Sequence, residues 1–409
     1  MRLVEALVYA RIATQVLAVS LGVIFVGMLA YNLSRPVPPL AVIFNPNYAC
    51  GKIDPVQLPK GVDADYSQAD VQINTKSETM RFIPPIAYVY RIRYKGETFS
   101  LRERLFSVAH TLGFEQSKYT KPEPYLFRWE DYRRVLVADS RTGSFGYTFK
   151  REVLVNLEKG QLKFVDDAKP VAMRVLNMLG LLTGFEGVEV GTISPYIYSS
   201  RVNDFVKVDS ISEASVVRVG FITTKPLLVF DLRYYSPKYR QDLDLSKIDF
   251  LAFYRQRDQL DPEYTKIFNV PTVGDHPYKG NPEIYVASDQ GDLFRDSVAK
   301  IVYNNWDIVD EPCGTYPIKD ANSIVQDIQK EPNKAKLVYL APFGGDEYQT
   351  PSKVKIVTIN ITDVGLAYYA PGSQSGYLQP IYLLKGSGYD DKGTRYNMTF
   401  YVDAMLHHK

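Results

Sequence analysis

GYLQPIYLLKGSGYDDKGTRYNMTFYVDAM, residues 376–405, is the stretch whose reading decides the fold. Tyr396, Met398, Phe400 and Val402 alternate with Asn397, Thr399, Tyr401 and Asp403, the period of a half-buried strand. An aromatic run from Tyr377 to Tyr382 precedes it, and the glycines and aspartates between the two have the composition of a turn. Gly393 is free to take a positive φ there. The stretch therefore predicts a closing β-hairpin, with Asp390 and Asp391 as turn residues rather than a catalytic pair. Pro380 has no N–H to give to a ladder, so its strand is expected at an edge or to begin there. Tyr377, Gln379, Ile381 and Leu383 become the candidate edge on which a partner strand docks.

Working back from this hairpin, helix and strand patterns recur. SLRERLFSVAHTLG (100–113) carries a capping box at Ser100 and Glu103 and an apolar stripe at Leu101, Leu105, Val108, Ala109 and Leu112. Strand-like runs follow at 125–129, 132–139 and 143–150. A second helical pattern at 167–182 precedes further strands, and a third at 319–331, with Asp320 as N-cap, precedes the closing hairpin. A helix on an antiparallel sheet, repeated, predicts the α+β class. The stretch 236–268 fits no repeat and reads as a helical or mixed insertion.

At the other end, Ala13 to Tyr31 carries no charge and is long enough to cross a bilayer. Arg2 and Arg11 precede it, which favours a cytoplasmic N-terminus and an extracytoplasmic bulk. A cleavable signal peptide is the competing reading, but an A-x-A site is missing. The proline-rich run 32–60 then predicts an extended stalk. The two cysteines, Cys50 and Cys313, form a candidate disulfide, with a pair of buried free thiols as the alternative.

Composition narrows the function. A net charge of +2 on 409 residues offers no concentrated basic face, so nucleic acid is excluded as a partner. The 31 tyrosines suit strands, which bury the ring and leave the hydroxyl a partner. Tyr234–Tyr235, Tyr368–Tyr369 and the Tyr377/Tyr382 strand are the alternative, a stacking surface for glycan. GSQSG (372–376) has Gln374 where a nucleophile elbow needs serine. His110, His276, His407 and His408 do not group into a metal-ligand pattern, and Asp166–Asp167 and the WED run at 129–131 have local roles at a helix start and a bend. No catalytic residue, metal or cofactor is expected.

The order from 282 to 405, with Tyr316-Pro317-Ile318 leading into a short amphipathic helix and the aromatic strand Tyr377 to Tyr382 opening the last hairpin, resembles the YycH/YycI family of membrane-anchored bacterial regulators. That resemblance implies a PepSY-like fold and a non-enzymatic external domain that binds a protein partner, a sensor histidine kinase in the membrane. The resulting division is a cytoplasmic segment (1–12), a transmembrane helix (13–31), a stalk (32–60) and three α+β units (61–165, 166–278 and 279–409). The expected function is a membrane-anchored regulatory or scaffold protein that binds another membrane or envelope protein. A glycan-binding module or enzyme of the cell envelope is the alternative.

Overall fold

The first helix begins where a threonine can cap it. Thr98 Oγ1 accepts from the Leu101 amide at 3.2 Å, so the helix spans Phe99–Thr111, two residues earlier than a Ser100 cap suggests. Leu101, Leu105, Val108 and Ala109 are buried along one stripe. Gly113 closes the helix at φ 81°, and the Phe114 amide reaches back to the Ala109 carbonyl at 2.9 Å. The second amphipathic pattern forms a helix over Ala168–Met178, and the third over Ala321–Lys330, where Asp320 accepts from the Ser323 amide at 3.0 Å. Within 236–268 a further helix spans Phe250–Gln256.

The computed structural model describes residues 45–75, 83–93, 96–157, 168–181, 187–231, 248–287, 297–343, 353–370 and 376–407. These all belong to one of the chain's two compact units, Phe44–Asp231 with Ser246–Lys409. The other unit, Met1–Ile43 with Leu232–Leu245, lies outside the described residues.

Among the described residues, 18 strands form one hydrogen-bonded network. Its first part is an antiparallel run in the spatial order Tyr119–Glu123, Leu126–Glu130, Arg134–Asp139, Phe145–Phe149, Val298–Tyr303, Glu283–Val286, Val216–Asp231, Gly187–Ser199 and Asp204–Lys207. Leu105 and Val108 of the first helix, its C-cap Leu112, and Ala172, Val175 and Leu176 of the second share one buried cluster with Trp129, Leu136, Val219 and Ile301 of these strands. The second part runs Lys336–Pro342, Arg395–Asp403, Tyr377–Asp390, Val354–Tyr369. Val354–Tyr369 also pairs in parallel with Ala64–Asp65, with Asp70–Ile73 and with the end of Thr265–Val273. Val216–Asp231 joins the two parts, because its first half faces Glu283–Val286 and its second half faces Thr265–Val273.

The fold class is corrected by this topology. The chain is a mostly β protein built on a large mixed sheet, not a series of PepSY-like helix-on-sheet units behind a membrane helix. The hairpin Glu283–Val286/Val298–Tyr303 is the physical reason. It fills the gap between Phe145–Phe149 and Val216–Asp231, so strands that read as separate repeats share a single ladder.

The membrane expectation is corrected as well. No helix among the described residues is long and apolar enough to cross a membrane, and the segment 13–31 lies outside them. The single-pass span, the membrane as partner, and the localisation with a cytoplasmic N-terminus and extracytoplasmic bulk are withdrawn on that finding.

Buried tyrosines tie the strand Ile86–Arg91, which pairs with Gly314–Pro317 and with Tyr377–Leu378, to both parts. Tyr88 donates its hydroxyl to the Phe250 carbonyl (2.6 Å), Tyr90 to the Pro226 carbonyl (2.6 Å) and Tyr368 to the Tyr88 carbonyl (2.8 Å). Each ring is buried and each of these hydroxyls reaches a main-chain acceptor, so these tyrosines are core residues, as is Tyr369, which is buried and donates to Asp275 Oδ1.

Candidate functional site

Tyr377, Gln379, Ile381 and Leu383 do not form an open edge. Ile381 and Leu383 lie between Val354–Tyr369 and Arg395–Asp403, Gln379 pairs with Tyr369, and Tyr377 pairs with Arg91 of the strand Ile86–Arg91. Alternation places the four side chains on one face, and that face holds the segment 50–58 of the same chain. Tyr377 donates its hydroxyl to the Cys50 carbonyl (3.3 Å), and Gln379 Nε2 donates to the Asp54 carbonyl (3.2 Å). Ile381 and Leu383 sit in a buried cluster against which Val56 and Leu58 pack.

Residues 45–58 are thus a strap laid on the sheet rather than the free stalk expected from their prolines. Asn47 brackets Thr315, its amide donating to Oγ1 and its Oδ1 accepting from the Thr315 amide, each at 3.0 Å. Tyr316 donates to the Gly51 carbonyl (2.6 Å). Cys50 and Cys313 are joined by a disulfide, with Cα atoms 5.3 Å apart. His407 faces Asp403 Oδ2 through Nε2 (2.6 Å) and the Ile53 carbonyl through Nδ1 (3.3 Å).

A polar concavity lies elsewhere. A cleft of about 380 Å³ is lined by four segments distant in sequence: 92–93, 141–144, 274–281 and 304–307. Asn281 positions the last of these by bracketing Asn304, donating to its carbonyl (2.6 Å) and accepting from its amide (2.8 Å). Asn305 donates through Nδ2 to the Thr142 carbonyl (2.7 Å), and its amide donates to Ser144 Oγ (2.9 Å). Gly280 fits because a Cβ there would lie 2.5 Å from the Phe221 nitrogen, so the loop can approach Val216–Asp231 only without a side chain.

The remaining wall is held by tyrosines of the second sheet part. Tyr401 donates to the Gly274 carbonyl (2.9 Å) and Tyr369 to Asp275 Oδ1 (2.6 Å). Burial, then the adjacent Asp275 carboxylate, pushes the Tyr369 hydroxyl up, so it remains a donor. Trp306 is half-buried and stands against Gly274, whose Cβ would lie 3.4 Å from Trp306 Cζ2. The Tyr278 amide donates to His276 Nδ1 (3.2 Å), which puts the proton of the neutral ring on Nε2. Arg141 pairs with Asp139 at 2.9 Å, and the same wall carries Arg93, Lys279, Asp275 and Asp307.

The other residues weighed from the sequence have structural places. His110 is exposed in the last turn of its helix. Asp131 accepts from the Arg133 and Arg134 amides and pairs with the Arg134 guanidinium at 2.6 Å. Asp390 organises its turn, and Trp129 is fully buried. Asp166–Asp167, Tyr234–Tyr235, Gln374 and His408 lie outside the described residues. Among the described residues no group of His, Cys, Asp and Glu is arranged to hold a metal ion.

Of the residues that line the cleft, the sequence marks His276 as a turn residue and Leu101 as part of a helical stripe, neither as part of a site. The signal available was the run YNNWD (303–307), polar and tryptophan-bearing directly after a hydrophobic strand, with GDHPYKGNP (274–282) at the same end of the intervening hairpin.

No family model matches the chain, and no curated protein matches it. Among solved structures, an uncharacterized protein from Eubacterium rectale ATCC 33656 is similar with a TM-score of 0.38 and 10% identity, over 85% of this chain and 88% of that one. Neither result bears on the resemblance to the YycH/YycI regulators.

Proposed function

We propose that the protein is a non-enzymatic binding protein whose cleft takes a small neutral saccharide. The observation that carries this reading is the composition of the cleft wall, which sets Trp306 beside asparagines, carboxylates and His276 on a tightly braced frame. A sugar ring has an apolar C–H face, which packs on an aromatic plane, and a rim of hydroxyls, which needs groups that both donate and accept. The cleft volume lies at the lower end of the range for small-ligand sites, about 300–1,000 Å³. The wall carries both signs of charge, Arg93 and Lys279 with Asp275 and Asp307, which disfavours a polyanion.

Calorimetric titration of neutral mono- and oligosaccharides, followed in parallel by tryptophan fluorescence, tests the reading. The expected result is saturable binding with a fluorescence change, weakened about tenfold or more by Trp306→Ala. Absence of binding across the panel, or preferential binding of phosphorylated or sulfated compounds, would overturn it.

A further inference from the structure

We propose that the Cys50–Cys313 disulfide sets the geometry of the cleft, through the strap and two tyrosine hydroxyls. This concerns regulation of the site read above as a saccharide cleft, and rests on that reading only for the identity of the ligand. The chain of contacts is continuous. Val56 and Leu58 pack on the cluster that contains Val273, Tyr369 and Tyr401. The same two tyrosines donate to Asp275 Oδ1 and to the Gly274 carbonyl, and Gly274 abuts Trp306. Displacing the strap uncovers the rings whose hydroxyls hold the cleft wall.

The strap is poorly held without the disulfide. Of residues 45–60 only Cys50 and Ile53 are buried, and beyond the bonds of Asn47 and the Tyr48 amide to Thr315 the strap is held by single side-chain contacts to its carbonyls. Segments with few buried apolar contacts open at low free-energy cost. Cys313 is partly exposed. A thiolate of a dithiol reductant attacks there, forming a mixed disulfide and releasing Cys50 as a thiolate. The second thiol of the reductant then displaces Cys313. Two electrons and two protons pass to the cysteines, both end as thiols, and the reductant leaves as its cyclic disulfide.

The test needs no ligand. Trp129 is fully buried and Trp306 half-buried, so acrylamide quenching of the full chain reports chiefly on the cleft. The oxidised protein, the protein treated with a dithiol, and Cys50→Ser/Cys313→Ser are compared by quenching and by hydrogen exchange. Two further variants keep the disulfide: Leu58→Asp, which lifts the strap from the cluster, and Tyr369→Phe/Tyr401→Phe, which removes only the hydroxyls. The expected result is a rise in quenching of roughly twofold in all four, with faster exchange at 274–281. The proposal is overturned if exchange at 45–58 rises on reduction while Trp306 and 274–281 are unchanged. It is equally overturned if both disulfide-retaining variants behave as the oxidised parent, whatever reduction does to overall stability. Failure to bind any saccharide leaves this outcome untouched, and failure here leaves binding to the oxidised cleft intact.

Discussion

Asp390 shows how one side chain fixes the closing hairpin. Its Oδ1 accepts from the Lys392 and Thr394 amides (2.9 and 2.7 Å), and its Oδ2 from the Tyr396 hydroxyl (3.1 Å), while Gly393 turns the chain at φ 81°. Burial alone would raise the carboxyl, but the Thr394 amide, the Tyr396 hydroxyl and the Lys392 amide outweigh it and hold it below its ordinary value of 3.8. A depressed acid contributes stability that is present above the ordinary value and lost as pH falls through the folded one. Asp390→Asn is therefore expected to lower Tm at neutral pH and to flatten the acid limb of a Tm-against-pH curve. A variant whose acid limb matches the parent would refute this. Arg218 and Glu283 present the opposite situation, a fully buried cation 3.4 Å from a buried carboxylate inside the ladder. Burial raises Glu283, and the Arg218 charge opposes that rise. Arg218→Met, which strands the acid, should cost about 3–5 kcal/mol, and adding Glu283→Leu should recover much of it. Urea melts of the parent, the single variant and the double variant measure both effects.

At the scale of elements, the strap is the part whose loss is easiest to measure. Its disulfide closes a sequence interval of 263 residues, and chain entropy assigns such a closure on the order of 5 kcal/mol. Cys50→Ser/Cys313→Ser should lower the unfolding free energy by up to that amount, and thiol titration of the parent should detect no thiol before reduction. Local signals were legible here. The helix near 100–113, the one near 319–331 with its Asp320 cap, and the turn at Gly393 all follow from residues a few positions apart. What could not be read was which strand pairs with which. Pro380 suggested an edge, yet its carbonyl accepts from the Ala404 amide and its strand is covered on both sides, because a strand can start at a proline and still run into the sheet interior. The cleft was illegible for the same reason. Asn281 and Asn305 act on main-chain groups supplied by tertiary pairing, and no sequence period marks such residues.

For the whole molecule, the shared strand Val216–Asp231 makes the two sheet parts interdependent. Cutting the chain between 278 and 279, where the sequence suggests a unit boundary, removes Glu283–Val286 from one flank of that strand and Val298–Tyr303 from Phe145–Phe149. Each fragment would expose unpaired ladder edges and the apolar faces of the common core. Fragments 45–278 and 279–409 are expected to aggregate when expressed alone and to co-purify when expressed together. A monomeric, cooperatively melting 45–278 would contradict this.

The sulfur–sulfur link also determines how the molecule bears load. When the chain is pulled from Asn45 and His407, tension passes from Cys50 to Cys313 through the link and bypasses residues 51–312. The cleft loops at 92–93, 141–144, 274–281 and 304–307 all fall within that shielded interval. Reduction would return the 263-residue interval to the force path, adding roughly 900 Å of extensible contour. While the link stands, residues 51–312 carry no tension along the chain, and the pull runs through the strap's first residues and through 313–407, which include the helix Ala321–Lys330 and the tyrosines that hold the cleft wall.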